Sequence, residues 1–428
     1  MKATAKRIIS LCLTLSVMLG TLFSLTSCLT FFTTIPDTGE GGSGGGTHIG
    51  GGETDGGTEK EEGDEEIPEF YPKGDGNIDS ADLTSTSKAL LSVVRIVSNF
   101  EKYSYSSTMS FKKEGSGVIY QLDRAAGDAY IITNYHVVYH GDSITSDKIS
   151  EDIDLYLYGQ EHENYKINAT YIGGSLTQDL AVLRVTGSEV LKNSYALAAT
   201  VGDSEALRPL DTVIAIGNPE GFGISVTSGI VSVDSESLAM LGADGKTALN
   251  LRVMRVSAAI NEGNSGGGLF DGDGNLVGIV NAKRTGEEVD NIGYAIPINL
   301  AKNIADSIIY YCDGTSTALY KCVIGINLEA AVMGLVVDPD SGAITKVERV
   351  EISGIVSGCI LEGRVGIGDV INSVTVDGVT TPVTRTHHII DAMYRARVGS
   401  VISLSLTRGN IHLTVEVTVP ESALTVVK

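Results

Sequence analysis

Gly263-Asn264-Ser265-Gly266-Gly267 is the stretch on which the reading of this chain turns. A serine that attacks a carbonyl needs little bulk beside it, so that a substrate can approach and backbone N–H groups can face the developing oxyanion. Glycines on both sides supply that freedom. The same five residues also fit a plain tight turn, in a chain that holds 51 glycines. The decision therefore rests on what accompanies them.

Two further motifs sit at the ends of short β-rich runs. Thr133-Asn134-Tyr135-His136-Val137-Val138 places a histidine just after the run Tyr130–Thr133. His140 lies four residues beyond His136, but a zinc-protease His-Glu-x-x-His needs glutamate where Val137 stands. Asp179 opens the apolar run Leu180–Val185, where an acid is costly to bury unless something donates to it. Asp152 and Asp154 are rival acids on a strand that alternates with polar residues. Further runs at Val93–Val97, Gly117–Tyr120, Ile153–Tyr158, Val213–Ile216 and Leu276–Asn281 are punctuated by Gly, Asp and Asn. That texture predicts a sandwich or barrel, not alternating β/α.

The chain order His136, Asp179, Ser265 is that of chymotrypsin-type enzymes and not of subtilisins or α/β-hydrolases. Other matches are Gly115-Ser-Gly-Val118, Ile214-Ala-Ile-Gly-Asn-Pro219, Val226-Thr-Ser-Gly-Ile230, Ala258-Ala-Ile-Asn261 and Gly293-Tyr-Ala-Ile-Pro297. On these residues, 88–420 resemble an HtrA/Deg-type serine protease. The resemblance implies a mainly β fold: a chymotrypsin-like double β-barrel protease domain over 85–312, followed by a PDZ domain over 313–428. It implies Ser265 as nucleophile, His136 as general base and then acid, and Asp179 as the group that fixes the imidazole tautomer. The N–H groups of Gly263 and Ser265 would form the oxyanion hole, and Ile260 would line a specificity pocket for small or medium aliphatic side chains. No metal or cofactor is required. The implied activity is ATP-independent endopeptidase cleavage of unfolded or misfolded proteins outside the cytoplasm. The alternative is an inactive, surface-tethered PDZ or chaperone module. The chain departs from the family at Val256-Ser257, Glu262 and Gly268, all outside the triad.

The ends of the chain agree with export and peptide docking. Lys2, Lys6 and Arg7 precede an apolar run from Ile8 to Leu25, the order of a secretory signal. Leu25-Thr26-Ser27-Cys28 resembles a bacterial lipobox, which implies lipidation at Cys28 and a membrane anchor, with an uncleaved transmembrane helix as the alternative. Residues 29–84 read as a disordered linker: 37–82 alone hold 14 glycines and 14 acids against Lys60 and Lys73. A Gly-rich coil of 46 residues reaches roughly 40 Å. The net charge of −22 excludes a basic nucleic-acid footprint.

Asn299–Tyr311 has helical spacing. After it, Cys322-Val323-Ile324-Gly325-Ile326 resembles the carboxylate-binding loop of an HtrA PDZ domain, which turns N–H groups toward a peptide C-terminus. The implied partners are unfolded polypeptides or exposed C-termini, and other copies of the chain in a trimer or larger assembly. A short helix near His387–Arg395 and closing runs Val401–Thr407 and Leu413–Val419 fit the same module, with His387, His388 and His412 on its surface or groove. Three cysteines lie beyond the signal. Cys312, Cys322 and Cys359 form no disulfide framework; a Cys312–Cys322 bridge or buried thiols are the two readings. Asp271-Gly-Asp-Gly-Asn275 reads as a hairpin turn because Leu276 and Ala282 stand where a calcium loop needs Gly and Glu. Asp75–Asp82 lacks the earlier oxygen ligands, and Gly245-Lys246-Thr247 lacks the leading glycine of a P-loop.

Overall fold

A computed structural model of the chain describes residues 83–427, save 105–106, 222, 283–291, 314–316, 340–341 and 343. The export signal with Cys28, the Asp75–Asp82 loop and most of the acidic linker lie outside the described residues. The described residues fall within one compact unit, Lys73–Lys428. None of their helices is long and apolar enough to cross a membrane.

The first barrel begins with α1 (Ser85–Leu90), whose N-terminus is capped by the Thr84 side chain accepting from Ser87 N. Strands β1 (Val93–Ser104), β2 (Ser107–Asp123) and β3 (Asp128–Thr133) pair in sequence, and the single turn α2 (Tyr135–Val138) follows. Strands β4 (Asp152–Leu157), β5 (Ile167–Ser175) and β6 (Leu180–Val185) complete the order β5-β4-β1-β2-β3-β6, and β5 pairs with β6 to close the ring. Alternate side chains of these strands enter different cores, because successive residues of a strand point to opposite faces. Ile96, Ile119, Ile131, Ala181 and Leu183 fill the barrel interior. Their neighbours Val118, Ile132, Leu180 and Val182 face the second barrel instead. Being buried on both faces explains why Leu180–Val185 reads as a continuous apolar run.

After the turn α3 (Glu189–Lys192), a second closed barrel forms from β7 (Thr212–Gly217), β8 (Ser225–Leu241), β9 (Ala248–Val256), β10 (Gly268–Asp271), β11 (Leu276–Asn281) and β12 (Gly293–Pro297). Val213, Val231, Met254, Leu269 and Ala295 fill it. Helix α4 (Ile298–Tyr311) begins one residue earlier than the spacing predicts, directly after Pro297. Its Ile298, Ala301, Ile304, Ala305 and Ile308 form an i, i+3, i+4 stripe buried against the inter-barrel core.

The C-terminal sheet is built from β14 (Ile326–Val337), β15 (Ile344–Ile355), β16 (Val370–Val376), β18 (Val401–Arg408) and β19 (Ile411–Thr418), with β17 (Val379–Pro382) beside β16. Helix α5 (Thr386–Ala392) packs on this sheet through Ile389 and Ala392, as expected of a PDZ-like arrangement. Two strands reach back to the first barrel. Strand β13 (Thr317–Cys322) runs parallel to β5 at Gly173 and Gly174, and β20 (Leu424–Val427) pairs antiparallel with β13. Tyr394 is buried within the same core as α4, and the Arg397 guanidinium lies 5.0 Å from the ring centre of Tyr310 and 5.5 Å from that of Tyr311.

Candidate active site

Strand β3 ends at the buried Thr133, and the chain turns at the buried Asn134 into α2, which carries His136. Asn134 donates from Nδ2 to the Asp179 carbonyl at 2.9 Å, tying the end of β3 to the turn between β5 and β6. Asp179 occupies that turn with φ of 49°, a left-handed conformation that costs a non-glycine residue about 1–3 kcal/mol. The strain aims the carboxylate at His136. Oδ1 accepts from the His136 backbone N–H at 3.0 Å, and Oδ2 lies 2.7 Å from His136 Nδ1. A carboxylate only accepts, so Nδ1 carries a proton, and in the neutral ring Nε2 keeps its lone pair.

Ser265 is brought to the same place from the second barrel, in the turn before β10. The Ser116 N–H on β2 donates to the Ser265 carbonyl at 2.8 Å, so the turn is bound to the first barrel. Within 263–267, Asn264 N donates to Asn261 O, Gly266 N to Val280 O and Gly267 N to Asn264 O. The amides of Gly263 and Ser265 donate to no protein atom among the described residues. Gly266 has φ of +85°, and a Cβ there would lie 2.2 Å from both Ser116 O and Thr133 Oγ1. Only glycine fits that position.

Residues that sequence reasoning missed complete the site. Asn281, 3% exposed at the end of β11, donates from Nδ2 to Asp179 Oδ2 at 2.9 Å. The next amide, Ala282 N, donates to Ser265 Oγ at 3.1 Å. The buried apolar run Leu276–Asn281 ending in asparagine was the available signal.

Other candidates fall elsewhere. Burial raises the pKa of Asp154, and Asn99 donates to its Oδ2 at 3.1 Å, while Asp152 is exposed; the acid bonded to His136 is Asp179. Ile260 lies against Gly293, where an added Cβ would meet its Cδ1 at 2.5 Å. In the loop between β13 and β14, Gly325 has φ of 75°, and a Cβ there would strike Cys359 Cβ at 2.1 Å. The Val323 amide is turned inward onto Ala423 O, whereas those of Ile324 and Gly325 donate to no protein atom among the described residues. Ile326 opens β14 opposite Ile355. Among the described residues no disulfide joins Cys312 to Cys322. Asp271 accepts from Asp273 N and Asn275 N, a hairpin turn. Asp244 accepts from Lys246 N and Thr247 N in the β8–β9 hairpin, and these bonds with the Thr247 hydroxyl hold its carboxyl down at about 2.

His387 and His388 point away from the C-terminal sheet. Their Nε2 atoms lie 3.2 Å and 3.0 Å from the oxygens of Glu205, in the segment between α3 and β7. Arg252 also binds Glu205, and it reaches Asp391 of α5 with its other nitrogen. Two imidazoles and a carboxylate are a donor set for zinc. However, Thr384 N–H donates to His388 Nδ1 at 3.2 Å, which puts the neutral ring's proton on Nε2, the atom a metal would need. With Arg252 occupying the carboxylate as well, these residues form a hydrogen-bonded junction between α5 and the barrels. Burial pushes the His387 pKa down, and hydrogen bonds from both histidines hold the Glu205 carboxyl well below the usual carboxylate range against the opposing effect of burial.

Two six-stranded barrels with Ser, His and Asp gathered at their junction define the trypsin-like peptidase class, and residues 115–279 match the trypsin-like peptidase domain family. The chain is 40% identical over 197 residues to the serine protease Do-like HtrA of Bacillus subtilis (strain 168), covering 46% of this chain and 39% of that one. It is 32% identical over 315 residues to the periplasmic serine endoprotease DegP of Salmonella typhimurium, covering 73% of this chain and 58% of that one. A solved HtrA-type protease, AlgW with decapeptide, aligns at a TM-score of 0.48 and 25% identity, covering 79% of this chain and 97% of that one. Over the matched region the chain is similar to HtrA-type serine proteases, and it spans 39% and 58% of the two curated relatives' lengths.

Proposed function

We propose that this chain is an HtrA-type serine endopeptidase that works outside the cytoplasm, without ATP, on unfolded or misfolded polypeptides. The observation that carries the reading is the paired hold of His136 on Asp179, with Ser265 brought to the same junction from the other barrel. His136 Nε2, left with its lone pair, takes the Ser265 hydroxyl proton as Oγ attacks the scissile carbonyl. Asp179 stabilises the imidazolium that results. The oxyanion forms against the Gly263 and Ser265 amides, and one such donor contributes about 2.7–4 kcal/mol in the transition state. His136 then protonates the leaving amine, and water repeats the sequence on the acyl-enzyme.

In this reading the 322–326 loop receives C-terminal carboxylates through the Ile324 and Gly325 amides, with the peptide adding as a strand beside β14. Cys28 lipidation anchors the chain to the membrane, the acidic linker holds the catalytic unit away from the bilayer, and copies assemble as trimers or larger. Nothing in the site favours an inactive binding module, since Ser265, His136 and Asp179 are all present and gathered.

The decisive experiment compares the wild type with Ser265→Ala on casein and with a fluorophosphonate probe. The wild type is expected to cleave and to be labelled at Ser265, and the variant to do neither. Undiminished cleavage by Ser265→Ala would refute the assignment. Mass spectrometry of the mature N-terminus tests the anchor: a diacylglyceryl cysteine at Cys28 is expected, and an unmodified chain from Met1 excludes it.

A further inference from the structure

Ser116 is fully buried on β2, and each of its hydrogen-bonding groups is engaged at the catalytic junction. Its N–H donates to Ser265 O at 2.8 Å, and its hydroxyl donates to Gly263 O at 2.7 Å. The hydroxyl oxygen accepts from Asn218 N at 2.8 Å, and the carbonyl accepts from Thr133 Oγ1 at 2.7 Å. One residue of the first barrel thus holds the carbonyls on both sides of the nucleophile's turn. It also binds the segment after β7 and the end of the strand that delivers His136.

The Ser265 carbonyl is held by a backbone N–H, which survives any side-chain change. The Gly263 carbonyl is held by the hydroxyl. Gly263 is a glycine at φ of 92°, so no side chain resists rotation of its flanking peptides. The Gly263 amide, like that of Ser265, donates to no protein atom among the described residues. The direction of that amide relative to the 263–264 peptide is set by the backbone angles of Gly263, and that peptide is held at its carbonyl by the Ser116 hydroxyl and at its N–H by Asn261 O. Oxyanion stabilisation depends on donors fixed before charge develops.

We propose that the Ser116 hydroxyl is a positioning residue for the oxyanion hole: it locks the Gly263 peptide so that the Gly263 and Ser265 amides converge on one point. This rests on the peptidase reading. Ser116 touches neither substrate nor the proton path from Ser265 through His136, so its loss weakens the transition state and spares substrate binding.

The test uses the full-length protein and Ser116→Ala, with a chromogenic peptide substrate, a peptidyl boronate whose tetrahedral adduct places an oxygen in the hole, and the amine-side product peptide, which places none there. Removing a single oxyanion donor costs 100- to 1,000-fold, so loosening one is expected to lower kcat by about 10- to 100-fold with KM changed by less than about threefold. Boronate affinity falls by the same factor, product-peptide affinity and the pH profile stay unchanged, and Ser116→Thr restores most of the rate. If Ser116→Ala does not fold, Ser116→Cys carries the comparison, since it keeps the shape and offers only a weak S–H donor. Wild-type kcat in the substituted protein overturns the proposal, as does a loss shared equally by product-peptide affinity. Failure of the wild type to react with a fluorophosphonate sinks the peptidase reading itself, which separates the two.

Discussion

Replacing Arg252 with methionine probes the junction that fixes α5 to the barrels. The guanidinium lies between Glu205, 3.2 Å away, and Asp391, with side chains 13% exposed for Arg252 and 11% for Asp391. Burial already raises the Asp391 carboxyl, and Arg252 is the chief influence opposing it. Removing the cation leaves Asp391 facing Lys321, Arg395, His387 and His388, with Glu205 adding repulsion. Breaking a buried ion pair from one side costs about 3–5 kcal/mol, and Glu205 recovers part of that through solvent, being 33% exposed. The expectation is a loss of about 3 kcal/mol in unfolding free energy at neutral pH, read from urea unfolding. The pH dependence carries a sign. A carboxyl raised in the folded state is a penalty above its folded pKa that fades as it takes up a proton. The deficit of Arg252→Met therefore shrinks as pH falls. Arg252→Met with Asp391→Leu should recover most of the stability, because an apolar pair replaces the ionic one. A loss under about 1 kcal/mol at neutral pH, or one that grows on acidification, would refute the argument.

Asn281→Ala withdraws one of the donors to a carboxylate that is 3% exposed, and hydrogen bonds to charged groups contribute about 1.5–3 kcal/mol. A fall in kcat/KM of about 10- to 100-fold is expected from peptide hydrolysis, with Asn281→Ser retaining more than alanine. Cys322 is fully buried, and burial pushes its thiol up to about 11. Native protein should leave Cys322 unmodified by a thiol reagent at neutral pH, as mapped by mass spectrometry, and denatured protein should not.

Local signals made the barrels legible. Leu180–Val185 and Leu276–Asn281 are strands with the predicted bounds, because burial on both faces leaves an uninterrupted apolar run between turn residues. The chain order of His136, Asp179 and Ser265 pointed to residues that the fold gathers at one junction. What escaped detection depends on partners far apart in sequence. Asn281 looks like the polar end of a strand until Asp179, 102 residues earlier, accepts from it. His387 and His388 read as surface or groove residues, yet their partner Glu205 lies more than 180 residues away on the protease side. Ser116 lies in the Gly115-Ser-Gly-Val118 match, but nothing local marks its hydroxyl, since its four partners come from three separate segments.

The return of β13 and β20 to the first barrel bears on how the molecule comes apart. The C-terminal sheet is fastened by β13, where the chain enters it, and by β20, where the chain leaves it, and both strands are hydrogen-bonded into the edge that begins at β5. Melting that sheet alone would strip β20 from β13 and expose Leu319 and Tyr394, which belong to the inter-barrel core. The penalty couples the two regions, so calorimetry of the described unit should give one heat-absorption peak, where beads on a string would give two.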